Sequence, residues 1–168
     1  MSQGHDTLSF EHDATMDVPA DEVDVTGWLF GMSDRDYQDT ARGHQALGTS
    51  TDRDGRHMVN VESIGGNLLV QHYVLERGTR SEAVMHSPRS TIYLAHLIPA
   101  RLGVRWTMAV RPATSDSSVL TCRVELDLPR WMNALGRVVG LRRSTQSHVD
   151  EEAAGYARDL ARKVLSRS

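Results

Sequence analysis

Between residues 57 and 128 apolar and polar side chains alternate with a period of two, and turn signals break the pattern at short intervals. The breaks are Asp52 to Gly55, Gly65-Gly66-Asn67, Gly78, Ser87-Pro88, Pro99 to Gly103 and Pro112 to Ser117. They delimit six candidate strands, near residues 57–64, 67–76, 80–86, 90–98, 103–111 and 118–128. Links this short join only neighbouring antiparallel strands, because a parallel crossover needs about a dozen residues or more. The chain is therefore built around an antiparallel meander. A seventh strand precedes it, where Leu8, Phe10, His12, Ala14, Met16 and Val18 alternate with Ser9, Glu11, Asp13, Thr15 and Asp17.

Helical signals flank the meander. After Pro19, Asp21 and Glu22 suit a helix first turn, and Val23, Val25, Trp28 and Leu29 supply an apolar side, which predicts a short helix. Ser33 with Asp36 three residues later reads as a capping box, and Tyr37, Ala41, His44 and Leu47 follow at helical spacing. A second short helix is predicted there, ending near Gly48. Beyond Pro129 come Trp131, Met132, Leu135, Val138 and Val139, then Val149, Ala153, Tyr156, Leu160 and Val164. Ser147 with Asp150, Glu151 and Glu152 opens a helix, and Arg158, Arg162 and Lys163 suit its C-terminal end, so a helix is predicted over about 148–166. Gly136 and Gly140, each costing about 1 kcal/mol inside a helix, leave open whether 130–143 continues it.

Composition narrows the function classes. The 168 residues are 39% hydrophobic and show neither linker nor repeat, so residues 1–168 read as one domain that needs no metal or disulfide to hold a core. A net charge of −3, with Arg and Asp interspersed, offers no footprint for nucleic acid. No apolar run approaches the roughly 20 residues of a membrane span, and Met1 to Leu8 lacks the apolar core of a signal peptide. The single cysteine, Cys122, sits on an apolar strand face as an inert core thiol. A cytoplasmic protein is expected.

The order strand, two short helices, six-stranded meander and long C-terminal helix resembles the START/Bet v 1-like (SRPBCC) superfamily. The residues that carry it are the Leu8–Val18 strand running into Pro19-Ala20-Asp21-Glu22-Val23 and Trp28, and the closing Glu151–Val164 helix. The resemblance spans nearly the whole chain and rests on architecture, not on a short motif. It implies an α+β helix-grip fold, with a seven-stranded curved antiparallel sheet wrapped around the C-terminal helix and two short helices after strand one. It also implies an elongated cavity between sheet and helix that takes a lipid, polyketide, sterol or aromatic molecule. A hot-dog fold, the rival, places its one long helix right after the first strand. Here residues 20–47 are split by Gly31-Met32-Ser33, and the strongest helix is C-terminal.

Strand alternation sorts side chains into faces. Val104, Trp106, Met108 and Val110 share one face, as do Leu120, Cys122, Val124, Leu126 and Leu128. In 67–76 the set Leu68, Val70, His72 and Val74 is expected inward on apolarity, against Leu69, Gln71, Tyr73 and Leu75. In 80–86 Val84 with His86 competes with Ala83 and Met85; in 90–98 Ile92, Leu94, His96 and Ile98 are the more apolar set. His72, His86 and His96, joined by His12, could then look inward together, either as acid–base groups or as core histidines bonded to a neighbour. Glu62 and Asn60 would form a second polar island. On the helix side Gln146, Thr145 and Arg142 make a polar belt, which suits a cavity mouth.

Two functional classes follow, with a third beside them. The first is a module that binds a hydrophobic or aromatic small molecule, with Trp106, Met108, His96, Leu94, Leu126, Val149, Tyr156, Leu160 and Trp28 as ligand-binding candidates. The second is an enzyme of the polyketide cyclase/dehydratase type, which the resemblance also implies, with His72, His86, Tyr73, Glu62 and Arg142 as candidate catalytic groups. The third is a ligandless domain that forms a homodimer through a sheet edge or an exposed apolar helix. No cofactor and no metal are expected, since the sequence holds no His-x-His pair, no HExxH, no Cys/His cluster and no GxGxxG.

Overall fold

The computed structural model describes residues 4–138 and 140–167. Met1 to Gln3 and Val139, included in the readings above, lie outside the described residues. Strands β1 (His5–Met16), β2 (His44–Asp52), β3 (Gly55–Ile64), β4 (Asn67–Gly78), β5 (Glu82–Leu94), β6 (Ile98–Pro112) and β7 (Ser118–Pro129) form one antiparallel sheet. Its order is β1-β7-β6-β5-β4-β3-β2, so the first strand pairs with the last and extends the meander, leaving β1 and β2 at the two edges. Two short helices, α1 (Val25–Gly31) and α2 (Asp34–Thr40), follow β1, and α3 (Arg130–Val138) and α4 (Leu141–Leu165) follow β7. Helix α4 lies against β1 and β7 and meets α2, α3 and β3. Among the described residues no helix is long and apolar enough to cross a membrane.

The strand count agrees with the meander, but the break expected at Pro99 to Gly103 lies inside β6, the turn falling at Ala95–Leu97 instead, and two further boundaries differ in compensating ways. The second short helix ends at Thr40, not near Gly48, and the chain enters β2 instead. Its capping box is present, with the Ser33 hydroxyl accepting from the Asp36 amide and the Asp36 carboxylate accepting from Ser33 N–H. The apolar residues at helical spacing meet by a fold-back, since the Tyr37 and His44 rings stack at 3.8 Å across the helix–strand corner. Gly48-Thr49-Ser50-Thr51, poor helix formers, then run extended. Conversely, Ser87-Pro88 is no turn: 80–86 and 90–98 merge into β5, whose register against β6 slips between Ser87 and Ser90. Proline has no N–H to give a ladder, so a bulge accommodates it. Ser87 Oγ caps the gap, accepting from His72 N at 3.0 Å and from Ser90 Oγ at 2.8 Å.

The open question at 130–143 resolves into two helices. Gly140 adopts a left-handed φ of 73°, which a side chain would strain, and it breaks the chain between α3 and α4. Helix α4 therefore begins at Leu141 and is about two turns longer than the predicted 148–166 segment at its start. The core lies between the concave sheet face and α4, where Trp106, Met108, Leu120, Leu128, Tyr156 and Leu160 are fully buried.

Candidate functional site

A polar cluster interrupts this core. Alternation along β3 points Met58, Asn60 and Glu62 inward, and the register sets them beside Tyr73, Gln71 and Leu69 of β4. Helix α4 answers with His148, Glu152 and Tyr156, which stand four residues apart and so share one face. The α2–β2 corner adds Tyr37 and His44. Glu62 accepts from Tyr37 Oη at 2.5 Å and from Gln71 Nε2 at 3.4 Å, and its Oε2 lies 3.7 Å from His148 Nε2. Glu152 accepts from Tyr156 Oη at 2.8 Å and from the Cys122 thiol at 3.7 Å, and its Oε1 lies 3.5 Å from His44 Nε2. The His44 and His148 rings meet edge to face at 5.2 Å.

Burial and charge oppose one another here. Burial disfavours a charged His44, but Glu152, Glu62 and the Tyr37 carbonyl outweigh it, so its pKa lies above the usual imidazole value. Burial likewise disfavours ionised Glu152, and the two imidazoles and the Tyr156 hydroxyl reverse the sign and hold it below the usual carboxylate value. Burial, reinforced by the neighbouring glutamates, raises the hydroxyls of Tyr37, Tyr73 and Tyr156, which stay neutral donors. The same forces raise the Cys122 thiol, so it is protonated and suited to donating to Glu152. His44 Nε2 and His148 Nε2 have no hydrogen-bond partner, nor have Asn60 Oδ1 and Gln71 Oε1. His44, Glu62, His148 and Glu152 each bring one donor atom to within 4.8 Å of all the others, so they are the residues that could hold a metal ion.

Against this cluster lies a cavity of about 40 Å³, room for a few waters. Glu62, Gln71, Thr145, His148 and Glu152 form its polar end. Leu69, Tyr73, Ile92, Leu102, Trp106, Val124, Leu126, Leu128, Met132 and Val149 form its walls, and it extends towards Asn67 at the β3–β4 turn and Leu141 at the α3–α4 junction.

No protein-family model matches the chain, and no curated protein matches it. Solved structures do. The Zhui aromatase/cyclase from Streptomyces sp. R1128 aligns with a TM-score of 0.58 at 14% identity, over 96% of each chain. Norcoclaurine synthase from Thalictrum flavum aligns at 0.60 and 14% identity, over 96% of this chain and 88% of that one. The di-domain StfQ of the steffimycin biosynthetic pathway aligns at 0.63 and 14% identity, over 95% of this chain and 52% of that one. The fold is the α+β helix grip that these structures share.

The helix-grip scaffold places the residues singled out in the sequence in three groups. Glu62, Tyr73, Trp106, Leu126 and Val149 reach the cavity. Met108, Tyr156, Leu160 and Trp28 are buried in the core beside it, Trp28 edge-on to Tyr156 at 5.3 Å. Leu94 is half-buried against the core. The others point elsewhere, which corrects the expected inward histidine set. His72 is exposed on the outer sheet face, because pairing with β3 turns Leu69, Gln71 and Tyr73 inward and apolarity alone misjudged two nearly equal sets. His86 is outward as well, 2.9 Å from Glu76, while Ala83 and Met85 point in. His96 lies exposed in the β5–β6 turn with a left-handed φ of 60°, and Arg142 is exposed on α4. His12 stays at the helix-facing rim, 3.0 Å from Asp150.

The helix-grip interior thus uses histidines the sequence did not offer as site residues. His44 sits in a segment read as helix, and Glu152 was read as a first-turn charge. One signal was present: His148, Glu152 and Tyr156 recur every four residues within the apolar face set by Val149, Ala153 and Leu160.

Proposed function

We propose that this domain binds a small, mainly apolar molecule between the sheet and α4, with a polar group of the ligand directed at Glu62, His148 and Glu152. The observation that carries the reading is the cavity's composition: hydrocarbon walls that end in a few converging, buried polar side chains. The fold is shared with proteins named as an aromatase/cyclase and as a norcoclaurine synthase, the latter also solved with dopamine and hydroxybenzaldehyde. At about 40 Å³ the cavity is well below the roughly 300 Å³ of a site for a drug-sized ligand. Entry therefore requires the walls to part. The α3–α4 junction is suited to this, since Met132 and Leu141 line the cavity on either side of Gly140.

Native mass spectrometry of freshly purified protein, compared with its denatured mass, tests the reading. A retained small molecule, or enhanced fluorescence of the apolar probe anilinonaphthalene sulfonate that is lost in the cavity-filling variant Leu126→Trp, is the expected result. A clean apo mass together with equal probe signals in both proteins would overturn it.

A second reading, proton-transfer catalysis of the polyketide cyclase/dehydratase type, draws on one feature. His148 presents an unbonded Nε2 at the cavity wall 3.7 Å from Glu62, a pair suited to acid–base work. Turnover of an aromatic polyketone that survives Glu62→Gln and His148→Asn substitution would dismiss it.

A further inference from the structure

We propose that His44, Glu62, His148 and Glu152 form a binding site for one divalent transition-metal ion of the zinc or ferrous class, at the polar end of the cavity. The site shares Glu62, His148 and Glu152 with the proposed ligand pocket, and its test uses the metal alone, without an apolar ligand.

Three observations carry it. The first is the hydrogen-bond pattern of His44. Its Nδ1 lies 2.8 Å from the Tyr37 carbonyl oxygen, which can only accept, so Nδ1 carries a proton and the ring, when neutral, has its lone pair at Nε2. A metal-ligating histidine commonly donates its other ring N–H to a backbone carbonyl in this way. That lone pair faces Glu152 Oε1, another acceptor, at 3.5 Å, and both side chains are buried, 0% and 5% exposed. Two facing acceptors repel unless a proton or a cation stands between them.

The second is spacing. His148 Nε2 repeats the arrangement against Glu62 Oε2 at 3.7 Å, again without a hydrogen bond and with side chains 9% and 6% exposed. Both separations exceed the roughly 2.7–3.2 Å of an N–H···O bond. Two ligands at about 2.1 Å from one tetrahedral ion stand about 3.4 Å apart. The four donor atoms all lie within 4.8 Å of one another, so small side-chain adjustments converge them.

The third is the support behind the ligands. Tyr37 and Gln71 donate to Glu62, and Tyr156 and Cys122 donate to Glu152, so each carboxylate is oriented by two hydrogen-bond donors, one on each oxygen. Two ionised glutamates beside two neutral imidazoles would bury a charge of two, which a divalent ion balances. Imidazole and carboxylate donors together suit zinc and ferrous iron better than calcium or magnesium. The competing account is a pair of imidazolium–glutamate ion pairs that needs no metal.

Tag-free protein, dialysed against a chelator, is titrated with zinc, with ferrous iron under anaerobic conditions, and with cobalt(II) as a spectroscopic probe. The expected result is one equivalent bound, visible cobalt absorption of a four- or five-coordinate site, and a higher Tm with zinc. His148→Ala and Glu62→Gln are expected to weaken binding by roughly a hundredfold, and Tyr156→Phe by about tenfold through loss of orientation. Absence of stoichiometric binding by the wild-type chain would overturn the proposal without recourse to any variant. So would binding unchanged in both ligand variants, which would place the ion elsewhere.

Discussion

Trp28 Nε1–H donates to Asp159 Oδ2 at 2.7 Å, joining α1 to α4 across 131 residues of sequence. Asp159 is also held by Lys163 at 2.8 Å and by Arg162, so the indole bond is one part of a charge network that joins buried Asp159 to the exposed Arg162. Because the same indole packs on Tyr156, the link also steadies the helix face that carries Glu152.

Trp28→Phe removes the donor and keeps most of the ring. The loss is expected to be about 2 kcal/mol, the usual cost of stripping a hydrogen bond from a buried charged acceptor, or roughly 4–8 °C in Tm. Urea unfolding monitored by circular dichroism measures it, and a change within about 0.5 kcal/mol would show that Arg162 and Lys163 suffice.

Gly155 lies inside α4, where alanine ordinarily gains about 1 kcal/mol. A Cβ there would stand 1.9 Å from the Thr40 carbonyl oxygen, so α2 and α4 would have to separate. Gly155→Ala is therefore expected to destabilise by about 3 kcal/mol or more. Gly31→Ala, with nothing within 4 Å of its new methyl, is the matched control and should be neutral or stabilising. Comparable melting curves for the two variants would refute the close contact.

Asp36 ties α2 to α4 through Lys163 at 3.0 Å. The Lys163 ammonium first, then Ser33, lower its pKa from 3.8 to about 2. A carboxyl depressed in the folded state stabilises fully above its unfolded pKa, and that stabilisation disappears as pH falls through the folded one. Asp36→Asn should thus be less stable than the wild type above pH 4, with the gap closing between about pH 4 and 2. Denaturant midpoints across that range decide it; a gap independent of pH would assign the effect to packing.

His72 and His86 lie on the outer face, His86 within a surface cluster with Glu76 and Arg105. Exposed ion pairs contribute about 0–1 kcal/mol. His72→Ala and His86→Ala are expected to leave probe fluorescence and retained mass unchanged. Loss of either in a folded variant would return these residues to the site.

The architecture was legible because it rests on local physics. Period-two alternation and short Gly- and Pro-marked breaks dictate an antiparallel meander, the Ser33–Asp36 capping box starts α2, and the four-residue stepping of Val149 to Val164 builds the long helix. The antiparallel sheet, apart from β2 and the continuity of β5, and the C-terminal helix against it follow from these signals. Two of the displaced boundaries were illegible for a specific reason. A proline bulge and a proline turn look alike until a neighbouring strand supplies the register, and apolar spacing around Tyr37 and His44 is met equally by a helix turn and by a folded corner.

The site was decided at a higher level. Which face of β4 looks inward depends on its pairing with β3, because Leu68-Val70-His72-Val74 and Leu69-Gln71-Tyr73-Leu75 differ little in apolarity. His44 and Glu62 are 18 positions apart and His148 is 86 further along, so no local pattern joins them. Sequence alone determined most of the elements, their order and the face of α4 that is buried, since these come from contacts between residues near one another in the chain. Only the tertiary structure brought two histidines and two glutamates together in the interior, since that meeting depends on sheet register and on how α4 packs against the sheet.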